Sequence, residues 1–193
     1  MEMAQVMEIQ RKKIHPHKFT LWVGIGSIIM MFAGLTSAFI VKRSQPNWAM
    51  LEIPMLFWVS TAVIITSSVT VQLALKAFKE RSMDRYRRML TWTAVLGMVF
   101  LILQIIGFLQ YRSMDIRLIG AGSNASFSFV LAIAGLHGLH VLGGVVALAV
   151  IAFRANSARR RNYSSVPVEV VATYWHFVDI LWIYLILFFS WMK

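Results

Sequence analysis

The chain reads as an all-α polytopic membrane protein, a bundle of five transmembrane helices, and three observations carry that reading. Of its 193 residues, 59% are hydrophobic and mean hydropathy is +0.68, beyond the roughly 45–50% apolar content of ordinary soluble domains. The apolar residues fall into five runs, each of the ~18 residues or more that a bilayer crossing requires. Lys and Arg lie between these runs, not within them. Residues 1–18 form a polar N-terminal segment and residues 19–193 a single membrane domain.

The first run, Phe19 to Val41, ends at Lys42-Arg43. It exceeds the ~7–15 residues of a signal-peptide core and is expected to persist as an anchor. The second begins at Pro54, a favourable first-turn residue, and ends near Lys76. The third covers Leu90 to Tyr111, the fourth Phe127 to Phe153 and the fifth Val170 to Met192. Linkers are short, so consecutive helices should run antiparallel.

Orientation follows from the basic residues. One side holds 14 of the 19: Arg11, Lys12, Lys13, Lys18, Lys76, Lys79, Arg81, Arg85, Arg87, Arg88, Arg154, Arg159, Arg160 and Arg161. The other holds Lys42, Arg43, Arg112, Arg117 and Lys193. Cytoplasmic loops carry the excess of Lys and Arg, which puts the N-terminus in the cytoplasm and the C-terminus outside. The net charge of +11 therefore reflects topology and anionic lipid, not nucleic acid. Trp22, Trp48, Trp58, Trp92 and Trp191 sit near span ends as interface anchors.

The absence of cysteine excludes disulfides, thiolate metal sites, iron–sulfur clusters and cysteine-bridged copper within the chain. Within the spans, four ionisable residues stand out: His137 and His140 on the fourth, His176 and Asp179 on the fifth. Each pair is three residues apart and shares a helix face. Gly135, Gly138, Gly143 and Gly144 surround the histidines and would admit a close helix, and Trp175 and Trp182, seven apart, share a face suited to packing. A His–His–His–Asp hydrogen-bond network joining the last two helices is the expectation.

Such a network could lock helices together, hold a divalent metal, or relay protons. Haem ligation would require His176 to oppose a fourth-span histidine, because two histidines on one face cannot bracket iron. On this reading Asp179→Ala would leave a histidine without its partner. Ser60, Thr61, Thr66, Ser67, Ser68 and Thr70 form a hydroxyl stripe on the second span, suited to packing. Two further classes stay open at this point, a b-haem electron-transfer membrane protein and a small proton-coupled transporter.

Two motifs add a family resemblance. Gly135-Leu136-His137-Gly138-Leu139-His140-Val141-Leu142-Gly143-Gly144 resembles the fourth-span signature of subunit III of haem-copper terminal oxidases in its short, five-helix form. Tyr174-Trp175-His176-Phe177-Val178-Asp179-Ile180-Leu181-Trp182 is similar to that family's last-span signature. Weaker likeness extends through Met31–Phe39, Thr61, Thr66–Thr70, Gly97, Phe100 and Gln104, covering roughly residues 20 to 192.

The resemblance implies an accessory subunit with no active site, haem or copper of its own, in the bacterial inner membrane. Its partners would be subunit I, which reduces oxygen to water and pumps protons, subunit II and other respiratory-complex subunits. It further implies bound phospholipid in a cleft between the first two spans and the remaining bundle, and support of sustained turnover. Arg159, Arg160 and Arg161 are candidate lipid-headgroup contacts, and Glu169 matches a family position. Ile28 and Gly107 stand where relatives carry carboxylates, so no proton role at those places carries over.

Overall fold

The computed structural model describes residues 16–44, 48, 53–113, 125–156 and 165–192. Five helices follow in order: α1 (Pro16–Arg43), α2 (Met55–Lys79), α3 (Met83–Ser113), α4 (Ala125–Asn156) and α5 (Ser165–Trp191). Each is long and apolar enough to cross a membrane. The expected class and number of spans are present.

Every helix outruns its apolar stretch at one end or both, because charged side chains at a helix end can extend away from the apolar surface into a polar environment without breaking the helix. The largest difference concerns the segment expected as a loop after the second span. Lys76 and Lys79 lie on the last turns of α2, and Arg85, Arg87 and Arg88 on the first turns of α3. Only Glu80, Arg81 and Ser82 connect the two helices.

That connection is a Schellman-type C-cap. Ser82 N–H donates to the Ala77 carbonyl at 3.0 Å and Arg81 N–H to the Phe78 carbonyl at 3.1 Å. Arg81 takes φ 57°, the left-handed conformation in which glycine is the usual occupant. The tight reversal makes α2 and α3 a long antiparallel pair, the most extensive packing in the molecule.

Helix α5 is the most buried span and packs against α1, α2 and α4. Helix α4 packs against α1, α3 and α5, whereas among the described residues α1 packs on α4 and α5 and not on α2. The first two spans therefore do not stand apart as a pair. Helix α2 packs instead against α3 and α5.

Aromatic rings fill the centre. Trp175, Trp182, Phe32, Phe39 and Phe100 are all fully buried. Phe100 meets Trp182 edge-on at 5.1 Å, and Phe39 meets Trp48 edge-on at 4.9 Å. Large apolar side chains on the periphery are exposed, among them Trp22, Trp58, Trp92 and Trp191, as a lipid-facing surface requires.

Candidate functional site

The polar chemistry of the interior is organised by α2. Its hydroxyl residues recur at helical spacing and point toward α3 and α5. Trp175 Nε1–H donates to Ser67 Oγ at 3.0 Å, and Trp182 Nε1–H to Thr61 Oγ1 at 3.0 Å. The seven-residue separation of the indoles on α5 matches the six-residue separation of their acceptors on α2, so one face meets the other twice. Toward α3, Gln104 Nε2 donates to Ser60 Oγ at 2.9 Å and Thr70 Oγ1 lies 2.9 Å from Thr93 Oγ1. Thr66, by contrast, is exposed and bonds back to the Ala62 carbonyl.

His176 belongs to this seam. Its Nδ1 lies 2.6 Å from Ser68 Oγ and its Nε2 lies 3.2 Å from Gln72 Oε1, both on α2. An amide oxygen only accepts, so His176 Nε2 carries the proton and Nδ1 accepts from Ser68.

The expected quartet network does not form. His140 Nδ1–H donates to the Leu136 carbonyl of its own helix at 2.7 Å. His137 is fully buried, with neither nitrogen hydrogen-bonded among the described residues. It is enclosed by rings: Trp182 stacks on it at 5.2 Å, while Phe100 and Phe32 approach edge-on at 6.0 and 6.4 Å. Asp179 is also buried, and neither carboxyl oxygen makes a hydrogen bond among the described residues. The reason is helical geometry. Residues three apart are offset by ~60° around a helix, which turns His176 toward α2 while Asp179 stays at the centre. Asp179→Ala would thus leave the bonds of His176 in place.

The glycines divide in the same way. A Cβ at Gly144 would lie 2.9 Å from the Trp175 ring, and one at Gly97 2.5 Å from it, so the indole is seated between α3 and α4 on two residues that lack side chains. A Cβ at Gly135 or Gly143 would meet nothing within 4 Å, and one at Gly138 only Leu101 at 3.9 Å. These three do not serve close helix approach within the chain. Gly97, which spacing did not single out, does. Gly135 and Gly138 instead line an apolar groove of about 590 Å³ between α3 and α4, with Leu101, Phe108 and Leu139.

At the positions where relatives were expected to carry carboxylates, Ile28 packs against the apolar core. The Phe57 ring closes over Gly107, 3.0 Å from a Cβ placed there. Glu169 accepts an ion-paired hydrogen bond from Lys18 at 2.8 Å, fastening the start of α5 to the start of α1. Tyr184 O–H donates to Thr36 Oγ1 at 3.2 Å, and Tyr174 O–H to the His140 carbonyl at 3.1 Å, tying α5 to α1 and α4. Arg159, Arg160 and Arg161 lie outside the described residues.

Among the described residues, the histidines of α4 and α5 do not converge. Both nitrogens of His176 are engaged by α2, whereas His137 lies in an aromatic enclosure on α4. Among the described residues no three His, Asp or Glu side chains come together as metal ligands do. Fold and seam together define a polytopic helical membrane protein whose interior hydroxyl, indole and imidazole groups join helix to helix.

Comparison with known proteins gives the family. Residues 17–193 match the family model of cytochrome c oxidase subunit III. The probable cytochrome c oxidase subunit 3 of Nocardia farcinica is 30% identical over 188 residues, 89% of each chain. The Bacillus subtilis cytochrome c oxidase subunit 3 is 29% identical over 170 residues, 85% of this chain and 80% of the relative. The probable cytochrome c oxidase subunit 3 of Mycobacterium tuberculosis is 31% identical over 166 residues, 83% of this chain and 80% of the relative. The chain belongs to the cytochrome c oxidase subunit III family.

Proposed function

We propose that the chain is an accessory subunit of a respiratory haem-copper oxidase in the bacterial inner membrane. It has no active site of its own; oxygen reduction and proton pumping belong to subunit I, beside which it packs, with subunit II nearby. Haem and copper reside in those partners. The observation that carries this reading is the family match running through all five helices. The seam agrees with it, since the hydroxyl, indole and imidazole groups of α2 and α5 are engaged in helix–helix bonds.

The N-terminus lies in the cytoplasm, supported by the excess of Lys and Arg on that side. On the same side, Lys76, Lys79, Arg85, Arg87 and Arg88 stand on helix ends at headgroup depth and would hold anionic phospholipid, joined by Arg159, Arg160 and Arg161.

Genetic removal of the chain tests the assignment. The remaining oxidase should accumulate at lower yield and keep its initial oxygen reduction, then lose activity sooner during turnover. An oxidase unchanged in yield and endurance would contradict an accessory role, as would an immediate loss of oxygen chemistry with subunit I intact. Native mass spectrometry of an Arg159→Ala, Arg160→Ala, Arg161→Ala variant tests the lipid contact, which predicts reduced phospholipid retention; unchanged retention would remove it.

A further inference from the structure

His176, Ile180 and Tyr184 follow one another at four-residue spacing and share a face of α5. At one end of that face His176 is hydrogen-bonded to Ser68 and Gln72 of α2. At the other end Tyr184 donates to Thr36 of α1. Ile180, between them, is 65% exposed. The face therefore opens between α1 and α2, which both pack on α5 and, among the described residues, not on each other. Two flanking helices with an exposed stripe of a third between them make a trough. Ile180 lies on its floor, and on the Ser68 side of α2 Ile65 and Gln72 are exposed along one wall.

That wall carries a polar group. Gln72 stands on a membrane-spanning helix, one turn before Lys76. Its Oε1 accepts from His176 Nε2–H, and among the described residues its two Nε2–H donors have no hydrogen-bond partner. An unpaired amide donor turned toward hydrocarbon is costly, and acyl chains offer it no acceptor. A side-chain oxygen on a neighbouring helix does, and such amide and hydroxyl groups join helix to helix in membranes. A second copy of this chain fits poorly, because a two-fold contact would set the same concave face against itself.

We propose that the trough formed by α1, α5 and α2 seats one transmembrane helix of a partner polypeptide, packed on Ile180 and offering a side-chain oxygen to the Gln72 amide. That a partner exists follows from the accessory-subunit reading; its seat and the polar group it carries follow from this geometry. His176, which pairs with Gln72, precedes Ile180 by one turn. The acceptor on the partner helix therefore lies about one turn from the residue over Ile180, toward the side of Lys18 and Lys76.

Photo-crosslinking in the intact complex tests the seat. A benzophenone-bearing amino acid is placed in the full chain at Ile180 or, on the groove between α3 and α4, at Leu139, which is 63% exposed. The Ile180 probe should join an apolar segment of ~20 residues in a co-purifying subunit, with a Ser, Thr, Asn or Gln one turn from the adduct. Ile180→Trp, which fills the trough, should strip that subunit from the purified chain, whereas Leu139→Trp should leave it bound. Gln72→Leu should weaken its retention about threefold, the fold-change that an average hydrogen bond between membrane helices represents.

Lipid adducts alone, or chain-to-chain dimers, from Ile180 in an intact complex would overturn the proposed seat and leave the accessory role standing. So would loss of the subunit from Leu139→Trp but not from Ile180→Trp, or wild-type retention by Gln72→Leu. Should Ile180→Trp not accumulate, the cross-link from Ile180 decides the matter. A wild-type chain that purifies without any other subunit would overturn the accessory role, and the seat with it.

Discussion

At the residue scale, the strongest determinants are paired indoles and hydroxyls. Trp182 and Thr61 are both buried and 3.0 Å apart, where no water competes for either group. A double-mutant cycle of Trp182→Phe and Thr61→Val, read by unfolding in detergent, should give a coupling of about 0.6 kcal/mol and at most ~1.7 kcal/mol, the range of hydrogen bonds between membrane helices. Arg81 supplies a test of the opposite sign. Its φ of 57° carries the left-handed penalty of roughly 1–2 kcal/mol that glycine avoids. Arg81→Gly should raise the thermal midpoint by an amount equivalent to about 1 kcal/mol. The hydroxyl stripe of α2 was legible in the sequence, but its partners were not. Hydroxyl spacing identifies a face; only the packing identifies the helix opposite it.

At the element scale, α5 is positioned by what α3 and α4 lack. Its Trp175 ring occupies space that side chains at Gly97 and Gly144 would fill. Gly97→Ala should destabilise the bundle by about 1–3 kcal/mol, the usual consequence of overpacking. Gly135→Ala, on the open groove, should stay within about 0.5 kcal/mol. Denaturant titration of both variants in one detergent separates the two cases. The sequence identified five spans because an apolar run in a bilayer is an unambiguous signal. Hydropathy places the helix ends too early, since Arg85, Arg87 and Arg88 look like a loop and are in fact helix. The quartet was misjudged for a related reason. Consecutive spans are the partners that chain order suggests, yet α2, three helices earlier, lies against His176.

At the scale of the whole molecule, a packed aromatic interior and a largely apolar exterior describe a chain built for the membrane. Its orientation is directly accessible because the native sequence has no cysteine. A single cysteine placed at Lys13 should resist a membrane-impermeant thiol reagent in intact cells, and one at Lys193 should react; the reverse pattern would invert the topology. Affinity purification of the full chain in mild detergent, with an optical spectrum taken before and after the partners are stripped away, is the most direct measurement of the central claim. Oxidase subunits I and II should co-purify with haem absorbance, and that absorbance should leave with them, so that the isolated chain is colourless. A chain that purifies alone and retains its own haem spectrum would contradict the account.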